Sequence, residues 1–247
     1  MADPFFRPAV AGIGDATSFS AGLRAHMQRV FAYMAGGLAL TGFVAFVIAN
    51  TPLAGLFFAA GANGQLHMTI LGMLGMLAPL AFIIYMQFKL QSLPLSRLQI
   101  LFWTYCGTMG LSMSLLFLVF SGADITRAFF ITAADFGAMS LWGYTTRRDL
   151  TGVGAFMSMG LLGLIIASVV NIFLGSSALQ WVVSVAGVVI FTGLTAYQTQ
   201  SIKEIYAESS GTDANAKMAV WGALSLYLSF INLFQFILSL SGGSNRN

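Results

Sequence analysis

Few side chains in this sequence can do chemistry, and they are scattered through long apolar runs. Asp135, inside ITAADFGAMS, is the one acidic or basic residue deep in such a run. An acid at the centre of a bilayer costs roughly 3 kcal/mol on insertion scales unless it faces a cavity or a partner. It should therefore point inward, either as a proton or cation site or as a hydrogen-bonded interior residue. Ser225, Ser229 and Asn232 recur at three- and four-residue spacing, and Gln235 continues the series. On a helix they share one face, which either lines a watery path or bonds across a bundle. Gln198 and Gln200 are two residues apart and so do not share a face. His26 and His67 have no Cys, His or carboxylate neighbours at metal-ligand spacing, so interfacial positions are expected for both. The single cysteine, Cys106, sits in an apolar run and reads as a packing residue.

The elements holding these groups follow from composition. Of 247 residues, 57% are hydrophobic and only 8% are charged, against about 25% charged in an average soluble domain. Eleven basic and eight acidic side chains are too few to cover a soluble domain of this size. The chain reads as an all-α integral membrane protein. A helix needs about 20 mainly apolar residues to cross the hydrocarbon, and seven stretches qualify: 30–49, 67–88, 98–120, 125–146, 154–174, 179–199 and 218–240. Pro79 interrupts the second, Thr51-Pro52 ends the first, and the loop after it carries Gly61, Asn63 and Gly64. Residues 1–29 are expected to form a cytoplasmic tail, 30–240 the transmembrane domain, 201–217 its longest charged loop, and 241–247 an extracytoplasmic tail.

Orientation follows from the basic residues in alternate loops. Arg7, Arg24, Arg29, Lys89, Arg97, Arg147, Arg148, Lys203 and Lys217 fall on the side of the N-terminus, and only Arg127 and Arg246 on the other. This predicts a cytoplasmic N-terminus and an extracytoplasmic C-terminus. Trp103, Trp142, Trp181 and Trp221 lie near expected helix ends, as interfacial aromatics do. Gly37 with Thr41, Gly107 with Gly110, and Gly160 with Gly163 are spaced as helix-contact faces. No phosphate loop, zinc spacing or nucleophile elbow occurs, so neither an enzyme nor a cofactor is expected, and no basic cluster points to nucleic acid.

Several strings together resemble the Bax inhibitor-1 family in its bacterial branch. They are AYMAGGLALTG, FGAMSLWGYTTRRDL, MGLLGLIIASVVNIFL, GLTAYQTQSIKEIY and GALSLYLSFINLF, spread from the first apolar stretch to the last. The resemblance implies seven helices with the last one central, a bacterial inner-membrane location, and a pH-sensitive calcium leak. Calcium would be a transported ion and the bilayer a constant partner. It also implies links to cell-death suppression and membrane-protein quality control, which leaves open a non-transporting regulator that acts through membrane-protein partners.

The family's pH sensor is a pair of aspartates. The matching positions here are Gln198, in Gln198-Thr199-Gln200, and Ser229, in Leu226-Tyr227-Leu228-Ser229-Phe230. Two carboxylates held close repel, so one keeps its proton to an unusually high pH. Gln198 and Ser229 can supply hydrogen bonds but cannot change charge. Nor do they offer the anionic oxygens a divalent cation prefers. The basic partner that some members carry in the second helix is also absent, since no Lys or Arg occurs between His67 and Lys89. The expectation is a leak that is reduced or insensitive to pH.

Overall fold

The computed structural model describes residues 11–60, 66–89, 93–208 and 212–243. Arg7, the loop residues Gly61, Asn63 and Gly64, and Arg246 lie outside them. The described residues form eight helices and one small hairpin: α1 (Ala11–Ala49), α2 (Ala54–Phe57), β1 (Phe58–Ala60), β2 (Leu66–Met68), α3 (Ile70–Lys89), α4 (Leu95–Val119), α5 (Gly122–Thr145), α6 (Thr151–Leu174), α7 (Ser177–Glu208) and α8 (Thr212–Gly243). Five of them, α1, α4, α6, α7 and α8, carry stretches long and apolar enough to cross a membrane. The other two expected spans fold as α3 and α5. In α3 the described apolar stretch runs Ile70–Met86, and α5 carries Asp124, Arg127 and Asp135.

The helices outrun the apolar stretches that announce them. Residues 11–29, expected as a tail, begin α1 in one continuous helix, and most of the charged 201–217 segment is the end of α7 and the start of α8. Backbone bonding carries a helix through polar residues once a packed apolar segment has nucleated it. His67, expected to open the second span, instead pairs with Ala59 in the β1–β2 hairpin, and the helix begins three residues later. Gly175 closes α6 at φ 59°, a left-handed position that glycine takes without a Cβ penalty.

The last helix is the most enclosed. Over half (56%) of the apolar window of α8 is buried, against 11% in α6, and α8 packs on α1, α4, α5 and α7. Its buried residues, among them Val220, Leu224, Tyr227, Phe230, Leu233 and Ile237, cover one broad side, and the rest of α8 between 215 and 242 is half-buried rather than exposed, as a core helix requires. The helices α3 and α6 lie farther out, packed on α4 and α7. They turn large apolar side chains outward, such as Ile172 at 78% and Phe173 at 85% exposure, which suits a lipid-facing wall.

Small residues set the α1–α4 seam. A Cβ on Gly37 would meet the Cys106 sulfur at 2.8 Å, and one on Gly110 would meet the Thr41 carbonyl at 2.7 Å. Close α1–α4 approach therefore depends on both glycines. Gly107 and Gly163, the other halves of the expected pairs, face open space.

Candidate functional site

The site is built by the register between α7 and α8. Ser229 is buried on α8, and its hydroxyl donates to Gln198 Oε1 on α7 at 2.8 Å. Two neutral side chains 31 positions apart in sequence thus close a hydrogen bond at membrane depth. A serine satisfied by an amide oxygen needs no proton or cation, and neither group titrates.

The polar stripe on α8 does not converge on one lumen. Ser229 turns to α7, whereas Gln235 Nε2 reaches Met113 Sδ on α4 at 3.5 Å. Asn232 Nδ2 bonds back to its own helix at Leu228 O, 2.8 Å. Ser225 is half-buried on the same face. The sequence spacing that places these four side chains on one face is real, but α8 is enclosed by several neighbours, and Ser229 and Gln235 meet different ones while Asn232 stays on its own helix.

Asp135 is half-buried on α5 and accepts a hydrogen bond from Thr192 Oγ1 on α7 at 2.8 Å. It lies in the α5–α7 seam and is separate from the Gln198–Ser229 bond in its partners. Farther along α5, Ser140 is buried with no hydrogen-bond partner for its hydroxyl.

Gln200, which the family resemblance does not single out as it does Gln198, is the more buried of the two. Its Oε1 accepts from the Leu150 N–H, and its Nε2 donates to Arg148 O, both at 2.8 Å. Leu150 is the N-cap of α6 and has no capping side chain of its own. Helix starts leave N–H groups in need of acceptors, and α7 reaches across to supply one. An N-terminus capped by leucine was the sequence signal for such a partner. Asp149 adds a second acceptor, for the Thr151 N–H at 2.8 Å. Bonds from the Thr151 side chain, and then from its backbone, hold the Asp149 carboxyl below its ordinary range. Lys203 Nζ donates to Tyr144 O at 2.9 Å, near the end of α5, where the helix dipole favours a cation. The 146–150 connection is thus clamped by α7 from both sides.

On the opposite flank of α8, Tyr227 and Thr41 share a 2.6 Å hydrogen bond, and Thr41 donates to Cys106 O at 2.9 Å. This ties α1, α4 and α8 together. His26, expected at the interface, is instead buried on α1 with its ring 5.0 Å from that of Tyr206 and no hydrogen-bond partner for Nε2. Among the described residues no three His, Cys, Asp or Glu side chains gather.

Comparison with known proteins shows the family. A family model described as "Inhibitor of apoptosis-promoting Bax1" matches residues 23–247. "Uncharacterized protein RP147" of Rickettsia prowazekii is 43% identical over 226 residues, covering 91% of this chain and 92% of the relative. A protein of Caulobacter vibrioides is 42% identical over 231 residues, covering 93% and 92%. "Inner membrane protein YbhL" of Escherichia coli is 40% identical over 225 residues, covering 90% and 93%. With its apolar helices enclosing α8, and similarity that runs from the end of α1's polar start to the C-terminus, the chain belongs to the Bax inhibitor-1 family of integral membrane proteins.

Proposed function

We propose that this chain is a seven-span inner-membrane protein of the calcium or cation leak type, in which a neutral hydrogen bond stands where the family's pH-sensing aspartates are found. In this reading α3 and α5 cross the membrane with the five more apolar helices, and the N-terminus is cytoplasmic. The supporting observation is the 2.8 Å bond from Ser229 to Gln198. It holds α7 to α8 at every pH, because neither partner exchanges a proton, so the leak is reduced or independent of pH.

The test is calcium entry into dye-loaded liposomes from pH 6 to 8, comparing this protein with a Gln198→Asp plus Ser229→Asp double variant. Two carboxylates about 4 Å apart repel by about 4 kcal/mol at an effective dielectric of about 20. That is about three pKa units, enough to lift one acid from about 3.9 to about 7. The double variant should therefore gain flux that changes through neutral pH, while the unaltered protein shows little pH dependence. Strong acid-sensitive flux in the unaltered protein would sink the proposal and move attention to Asp135. Absence of flux in both proteins favours the regulator that acts through membrane-protein partners.

A further inference from the structure

A cavity of about 300 Å³ lies between α1, α4, α5 and α8, in the half of the bundle where α1 ends and α5 begins. Thr41, Gly42, Phe117, Phe129, Phe230 and Phe234 are among its walls. Its floor is buried, with Thr41 at 3% and Phe230 at 5% exposure, whereas Gly42 and Phe129 on its rim are exposed. The flanking helices α1 and α5 form no substantial packing interface of their own. The cavity therefore opens sideways, beside the outward-facing Phe43, Phe46 and Phe130.

Its chemistry selects the occupant. A buried water needs two to four polar partners, but the Thr41 hydroxyl is already engaged with Tyr227 and Cys106, and that of Thr126 with Gly122 O. No charged side chain lines the walls to receive an ion. The adjoining phase is bilayer hydrocarbon. The residue after lining residue Thr126 in sequence is the exposed Arg127, the one Lys or Arg at this end of the bundle among the described residues. An arginine at that depth sends its guanidinium to the lipid phosphate level.

We propose that this groove is a phospholipid site: one acyl chain lies between α1 and α5 against Phe230 and Phe234, and its phosphate pairs with Arg127. Gly42 makes the chain's room. A Cβ there would meet nothing within 4 Å, so a larger side chain can occupy the groove without moving backbone.

Phosphatidylglycerol with a diazirine at the end of one acyl chain is the probe, in proteoliposomes of phosphatidylglycerol and phosphatidylethanolamine, with adducts mapped by peptide mass spectrometry. Adducts should concentrate on Phe117, Phe129 and Phe234. A ring built on Gly42 fills the groove and returns the acyl chain to the surrounding lipid, so Gly42→Phe should lower those adducts to the level found on Phe43, Phe46 and Phe130. Arg127→Gln should lower them about fivefold, as one cation near the surface is worth. Gly42→Leu serves as a second filling variant, and an unchanged circular dichroism spectrum with Cys106 still shielded certifies the fold of each. Adducts spread evenly over Phe43, Phe46 and Phe130, adducts at the groove that Gly42→Phe and Gly42→Leu leave unchanged, or a polypeptide crosslinked there in place of lipid would each overturn the proposal.

Discussion

Replacing Gln200 with methionine, which keeps the length of the side chain but not its amide, should loosen the connection between α5 and α6. Two neutral hydrogen bonds disappear, from the Leu150 N–H and to Arg148 O. Each such bond is worth about 1 kcal/mol net, and the Leu150 N–H, the N-cap donor of α6 beneath a buried side chain, then has no acceptor. A local cost of about 2 kcal/mol raises the open population of residues 146–150 about 30-fold. Arg147 and Arg148 are exposed but held in this clamped loop, so trypsin reports the opening directly. When the loop recloses faster than it is cut, cleavage follows the open population, and Gln200→Met should be cut about 30-fold faster. Cys106 lies on α4, away from the loop and fully buried. Its labelling by a thiol reagent should stay at the unaltered rate, which separates local opening from general unfolding. Cleavage of the variant within about twofold of the unaltered rate would refute the clamp, given the bond strengths assumed.

Gly110→Leu should destabilise the α1–α4 seam by about 1–3 kcal/mol and speed Cys106 labelling, because its Cβ would press on the Thr41 carbonyl, whereas Gly107→Leu, facing open space, should change little. The Asp149 carboxyl is held below its ordinary range by Thr151, so its support for the start of α6 is complete above that range and fades as pH falls through the lowered value. Asp149→Asn should accordingly remove part of the loss of pepsin resistance expected on acidification below about pH 4, and the same acid limb in both proteins would show that the carboxylate does not matter.

Much of the architecture was legible because membrane insertion is decided by local composition. Runs such as Val30–Ala49 and Gly154–Leu174 are too apolar and too long for anything but helices in lipid, and the structure has helices there. Helix ends were not legible in the same way. Lys203 and Glu204 mark where α7 leaves the apolar region, but a helix continues past that level when its backbone bonds persist, and α7 runs to Glu208. The His67 segment went to a hairpin because strand pairing with Ala59 is a nonlocal bond that helical periodicity cannot show.

Which polar groups enter the membrane follows from composition along the chain, since each residue's transfer cost is its own, and spacing alone puts Ser225, Ser229, Asn232 and Gln235 on one side of a helix. What those groups meet depends on how the helices pack. The α7–α8 register brings Gln198 to Ser229, the α5–α7 seam brings Thr192 to Asp135, and Gln200 becomes a cap for a helix that begins 50 residues earlier. A hydrogen bond depends on distances of about 3 Å, and such distances between separate helices are set by how side chains and glycines pack across the seams. Periodicity along one helix carries no information about that packing.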